Sequence, residues 1–228
     1  MPIISTDVSR LLDELGFSYK GVVETIVTTY GMGKEPNAAP MGVVRTGSKE
    51  LEIRPYRGSQ TFLNLEAKRA AVINLTHDAE IFYVTAFKDE EGRRIREDWF
   101  EKAEIVNAPR LRQTDASIEV SAVRVRSLSN ERVAFPCEAK LVEVRKLTPR
   151  AFSRGTSAAL EAIIHATRIR RFFQTGRAKD AERLAVKVDD LKDVVQRVCP
   201  DDSTQMKIMN GLAQKIETWR KKWSKKLS

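Results

Sequence analysis

The apolar pattern of this chain changes period once, at Thr148-Pro149, and that change constrains the fold more than any other feature. Before it, apolar residues alternate or gather in short runs, as strands require. After it they recur every three to four residues, as helices require. Gly21 to Tyr30 is dense in β-branched residues (Val22, Val23, Thr25, Ile26, Val27, Thr28, Thr29), which favour extended backbone. Gly31 to Asn37 has turn composition, and Ala38 to Arg45 reads as the returning strand of a hairpin. Leu51 and Ile53 alternate with Glu52 and Arg54, and Ala71-Val72-Ile73-Asn74-Leu75 reads as a buried strand. From Ile118 the apolar phase runs through Val120 and Ala122, then slips to Val123 and Val125, which predicts a bulge or a strand buried on both faces. Val133 to Leu147 reads as a long strand in which Pro136 requires an edge or a bend.

Two short helices fit among these strands. One is capped by Asp7, carries Leu11, Leu12 and Leu15, and stops at Gly16. The other starts near Gly58-Ser59 and carries Phe62, Leu63 and Leu65. Residues 90–117 carry no readable pattern. Many strands with few βαβ spacings predict an antiparallel barrel rather than a doubly wound sheet. Past Pro149 a helix is expected over Thr156 to Phe172. Two apolar seams follow, Leu184-Val188-Leu191-Val195-Val198 and Met209-Leu212-Ile216-Trp219-Trp223, with Asp202 or Ser203 as the cap between them. The three helices would form a small bundle or pack on the barrel. The expected domains are therefore 1–148, β-rich, and 149–228, helical.

Charge divides at the same place. Up to Arg150 there are 23 basic and 22 acidic residues; from Ala151 onward there are 17 and 9, so +8 of the net +9 lies in the last third. Such asymmetry fits two surfaces, the second suited to an acidic partner. A hydrophobic share of 42% excludes a disordered chain, and no apolar run reaches the roughly 20 residues of a membrane span. The start Met1-Pro2-Ile3-Ile4 does not read as a signal peptide, and two distant cysteines, Cys137 and Cys199, suit a reducing compartment. A cytoplasmic protein is expected. His77, His165 and the two cysteines lack ligand spacing, so no metal site is expected. His77 and Asp78, adjacent on an extended segment, would point to opposite faces and make a poor catalytic pair.

Three segments could carry chemistry. Asn37-Ala38-Ala39-Pro40-Met41-Gly42 opens a strand with small residues and a proline. A flat aromatic ligand could lie on such an edge, or the proline could simply blunt it. Arg54-Pro55-Tyr56-Arg57-Gly58-Ser59-Gln60-Thr61 places hydroxyls and arginines at a helix start, which suits an anion or is an ordinary cap. Asn74 within an apolar run must find hydrogen bonds, either to a neighbouring loop or to a ligand.

In this order, together with Glu24 to Thr29, Asn64 and the later run Ala159 to Arg168, these segments resemble an uncharacterised, mainly archaeal family of FMN-binding split-barrel proteins, relatives of the flavin reductases. The resemblance implies an α+β fold: a six-stranded Greek-key split β-barrel followed by a small all-helical segment. It implies a homodimer with FMN near the interface. The isoalloxazine would lie along the first strands, at Thr28, Thr29 and Asn37 to Gly42. Ser59 and Thr61, with Arg54 or Arg57, would hold the phosphate, and Asn64 and Asn74 are further candidates. It leaves the catalytic residues and substrate unassigned; the cofactor implies an FMN-dependent oxidoreductase with a nicotinamide or other electron donor. A second reading is a binding module for nucleic acid or another acidic partner. Its basis is Arg168-Ile169-Arg170-Arg171 and Arg220 to Lys226, which also fit a solvated helix face.

Overall fold

The computed structural model describes residues 3–5, 7–88, 95–145 and 153–224. The Thr148-Pro149 junction, residues 90–94 and Lys225-Lys226 lie outside them. In chain order the elements are β1 (Ile3–Ser5), α1 (Val8–Glu14), β2 (Val22–Tyr30), β3 (Pro36–Arg45), β4 (Glu50–Ile53), α2 (Gln60–Lys68), β5 (Ala70–Leu75) and α3 (Ala79–Ala86). There follow a 3-10 turn (Glu97–Trp99), β6 (Phe100–Lys102), β7 (Pro109–Leu111), β8 (Ala116–Ala122), β9 (Arg126–Ser127), β10 (Val133–Val144), α4 (Arg154–Gln174), α5 (Ala178–Val198) and α6 (Thr204–Ser224). The described residues up to 76 and from 88 to 145 form one compact unit, and those from 77 to 87 and from 153 onward form another.

The first unit is a closed six-stranded barrel in the order β10-β4-β3-β2-β5-β8, with β8 returning to β10 and β1 added alongside β10. Its interior is built from paired side chains that share a face: Ile118 with Ile73, Ile73 with Val27, Val43 with Ile53, and Ile53 with Phe135. Helix α2 contributes Leu65 and Phe62 to the same core, and α1 contributes Val8, Leu11 and Leu12. Cys137 is sealed in the wall, where burial pushes its thiol up to about 12, so it stays protonated.

Two alternatives that the pattern leaves open are resolved by the structure. Strand β8 is buried on both faces, but it ends at Ala122; Val123 is 68% exposed, so the phase slip marks the strand's end. The register shift lies instead on β10, between Ala139 and Leu141. Strand β10 is also no edge strand, because it pairs with β4 on one side and β8 on the other. Pro136 is tolerated because its carbonyl meets Val123, one residue beyond the end of the β8 ladder. Its missing N–H faces the same side, so this pair keeps one hydrogen bond of two, at the end of the ladder rather than within it.

The unpatterned stretch holds the β6–β7 hairpin. Ala103, Val106 and Ala108 pack on Ala70 and Val72, on the face of β5 that points away from the barrel interior. The buried Glu119 carboxylate accepts from the backbone N–H of Glu104, Ile105 and Val106 at 2.7, 2.7 and 3.0 Å, fixing the loop within the hairpin.

The second unit contains α3 to α6. Side chains cap three helices: Asp78 accepts from Glu80, Ser153 from Thr156 and Ser203 from Met206. Helix α4 packs on α5, and both helices bury small residues, Ala158, Ala159, Ala162 and Ala166 on one and Ala181 and Ala185 on the other. The α5 seam therefore runs Ala181-Ala185-Val188-Val195 rather than through Leu184, and Val198 is 42% exposed. Trp219 is buried against Phe87, with ring centroids 6.0 Å apart, and Arg220 is held by Glu182 and Glu217. No described helix is long and apolar enough to cross a membrane.

Gly155, in the first turn of α4, has no room for a side chain: a Cβ would lie 2.1 Å from Cys199 Sγ. Gly155→Ala should lower stability by about 1–3 kcal/mol through this overlap, despite alanine's better helix propensity. Adding Cys199→Ala should restore most of the loss. Urea unfolding followed by far-UV circular dichroism checks this; a more stable single mutant would contradict the packing.

Candidate functional site

Strand β3 pairs with β2 from Pro36 to Val44 but with β4 only through Val43 to Arg45. No described strand covers the other edge of its first half. The carbonyl of Ala38 points to that edge, where Lys88 Nζ donates to it at 2.8 Å. By the alternation of antiparallel pairing, the backbone groups of Pro40 and Gly42 face the same way. Proline at 40 thus sits where its absent N–H would have met no strand. Ala39 to Gly42 are half-buried. A Cβ on Gly42 would lie 2.8 Å from Val22 Cγ1 and 3.3 Å from Glu24 Oε1, so a larger residue there would have to displace the hairpin's own exposed side chains.

The inward side of the same segment is polar. Asn37 Nδ2 donates to Thr29 Oγ1 and to Thr61 Oγ1, both at 3.3 Å. Asn64 Nδ2 donates to Thr29 Oγ1 at 2.9 Å, and Lys88 Nζ donates to Asn37 Oδ1. All four partners, Thr29, Asn37, Thr61 and Asn64, are buried. Thr61, Asn64 and Leu65 fall on one face of α2, which is why the sequence spacing brings them together. The start of β3 and the first turn of α2, both flagged in the sequence, are thereby one hydrogen-bonded unit. Ser59 is the cap of that helix: its Oγ accepts from Phe62 N and donates to Tyr56 O. Gln60 and Thr61, the first residues of the helix, have no backbone acceptor among the described residues.

Thr28 and Asn74 lie on the opposite face and are fully buried. Asn74 Nδ2 donates to Ile26 O at 2.9 Å and Thr28 Oγ1 at 3.0 Å, while its Oδ1 accepts from Leu111 N at 2.9 Å. Thr28 Oγ1 donates to Pro109 O. These two side chains fasten β7 to the barrel, the neighbouring-loop role open to Asn74 in the sequence.

Arg54 is bonded to Glu52, and the exposed Arg57 donates to Ser127 Oγ at 2.9 Å. An open cleft of about 540 Å³, lined by Tyr30, Lys34, Glu35, Phe100 and Lys102 among others, adjoins Pro36 at the start of β3. His165 lies on α4, in the second unit; burial holds its pKa below the ordinary imidazole value. Among the described residues no cluster of His, Cys, Asp and Glu could hold a metal. The sequence pattern did not single out Lys88, Arg126 or Arg132. No periodicity marks a lysine after a helix or arginines in a hairpin turn; only their distant partners reveal them.

A closed barrel with one added strand, followed by three helices, is the flavin reductase-like split barrel. An FMN-bound protein from Methanosarcina mazei, assigned to family DUF447, superposes with a TM-score of 0.71 at 23% identity, over 89% of this chain and 98% of that one. Fainter likenesses are to 2-nitrobenzoate 2-nitroreductase of Pseudomonas fluorescens (TM-score 0.46, 16% identity, 62% of this chain and 73% of that one). Flavoredoxin of Desulfovibrio vulgaris is comparable (TM-score 0.44, 15% identity, 60% and 78%). Residues 23–148, more than half of the chain, match the family described as protein of unknown function (DUF447), N-terminal domain. The chain belongs to that family.

Asn74→Ala would strand the Leu111 N–H in a buried position and loosen the β6–β7 hairpin. It should cost about 2–4 kcal/mol, since each buried unsatisfied group costs about 1–3 kcal/mol. Urea unfolding measures this. A loss below about 0.5 kcal/mol would show that Asn74 does not hold the hairpin.

Proposed function

We propose that this chain binds FMN and is a flavin-dependent oxidoreductase. The observation that carries the reading is the Asn37–Thr61 hydrogen bond, which joins the open, small-residue edge of β3 to the first turn of α2. A planar ring needs a flat edge bearing backbone donors and acceptors, and a phosphate needs a helix start with cations beside it. Both lie on one rigid unit here. The M. mazei protein, of the same family and fold, is FMN-bound, which supports the same cofactor.

In this reading the edge of Ala38, Ala39, Pro40, Met41 and Gly42 faces the ring. Ser59 and Thr61, with Arg54 or Arg57, hold the phosphate. Thr29, Asn37 and Asn64 fix the two segments relative to each other, and Thr28 and Asn74 brace the strands beneath. FMN supplies the electron-transfer chemistry when bound, and the protein supplies orientation and electrostatics. No side chain need act as a nucleophile. The cleft beside Pro36 gives an electron donor, a reduced nicotinamide or another, room next to the edge. A second copy of the chain is the simplest cover for the unpaired edge and for Tyr19 and Val22, which are 64% and 61% exposed.

The purified protein, stripped of bound flavin, should quench FMN fluorescence saturably and sediment as a dimer when loaded. Absence of quenching, with no flavin absorbance in the protein as isolated, would contradict FMN binding; a loaded monomer would contradict the dimer alone.

A further inference from the structure

The β9–β10 hairpin closes onto the segment that leads into α2. Arg57 N donates to Glu131 O at 2.8 Å, Val133 N to Pro55 O at 3.3 Å, and Arg132 Nη1 to Arg54 O at 3.4 Å. Tyr56 pairs with Arg132 as an isolated antiparallel bridge. Residues some 70 positions apart thereby bring four guanidinium groups, those of Arg54, Arg57, Arg126 and Arg132, to the entrance of the helix.

Their charge is poorly compensated. Arg54 Nε and Arg126 Nη2 share the buried carboxylate of Glu52, each at 2.6 Å. Arg57 has only the Ser127 hydroxyl, and Arg132 lies over the Tyr56 ring, 4.1 Å from its centroid. Two of the four therefore have no carboxylate among the described residues. Even with Glu131 counted, two acids stand against four guanidiniums, a surplus of about +2 on these two joined segments. A phosphate monoester carries about −1.5 to −2 at neutral pH. The planar forks of arginine match its oxygens in pairs, and charge-assisted bonds of this kind are the strong ones.

We propose that this arginine platform binds a phosphate monoester dianion, with Arg126 and Arg132 as contacts additional to Arg54 and Arg57. The proposal rests on the FMN reading, in which that phosphate is the flavin's own. Arg126→Gln should leave the fold intact, because its side chain is half exposed and Glu52 keeps Arg54. Arg132→Gln supplies a second, independent variant.

Fluorescence titration with FMN and with riboflavin, which lacks the phosphate, tests it. Each variant should weaken FMN by about tenfold or more, since one charge-assisted bond of about 1.5–3 kcal/mol is lost. Riboflavin binding should stay within about twofold. Wild-type protein that binds FMN, with an FMN-to-riboflavin ratio unchanged in both variants, overturns the platform and leaves the FMN reading standing. Wild-type protein that binds neither flavin overturns the FMN reading. Calorimetry with phenyl phosphate then decides the platform: binding that weakens tenfold in Arg126→Gln supports it, and no binding overturns it.

Discussion

Strand β10 is paired along both edges, and the barrel depends on that. Over twelve residues it meets β4 and then β1 on one side, and β9 and then β8 on the other, bending at the irregularity between Ala139 and Leu141. This double pairing closes the sheet. Strand β4 has only four residues and spends them between β10 and the last three positions of β3. The first half of β3 is consequently left with an open edge inside an otherwise closed barrel. Lys88 touches that edge at Ala38, and the helix that plugs the barrel is tied to it through Asn37.

The sequence made the strands of the barrel legible because each pairs a run of β-branched or alternating apolar residues with a turn. Ser59 was readable as a cap for the same local reason. The β6–β7 hairpin was not, since its strands have three residues each and no period can establish itself over that length. It is held instead by Glu119, 13 to 15 residues away, and by Asn74, 37 residues away. Such bonds leave no trace in a local pattern. Helix α3 escaped for a different reason: Ile81, Phe82 and Tyr83 are adjacent and all buried, so it has no polar face to set a phase.

The candidate site divides along the same line. Residue types that suit a ligand were visible at Asn37 to Gly42 and at Ser59 to Thr61. What they do to one another was not. Asn37, Thr61, Asn64 and Thr29 bond among themselves, and Asn74 and Thr28 bond to β7, so much of the polar signal in the sequence is scaffold that holds the edge and the helix start in place. Buried polar networks of this kind rigidify when every member is satisfied, and a cofactor site requires that the groups touching the cofactor be held rigidly. Gly42 teaches the same lesson: its missing Cβ makes room for Val22 and Glu24.

The central claim is that flavin meets the protein at the open edge of β3 and at the start of α2. Hydrogen exchange read by mass spectrometry, with and without saturating FMN, tests it most directly. The amides of residues 36–45 and 57–63 should exchange more slowly with FMN bound, by about tenfold or more for those that gain a bond. Protection confined to α4, α5 and α6, with the β3 and α2 segments unchanged, would contradict it.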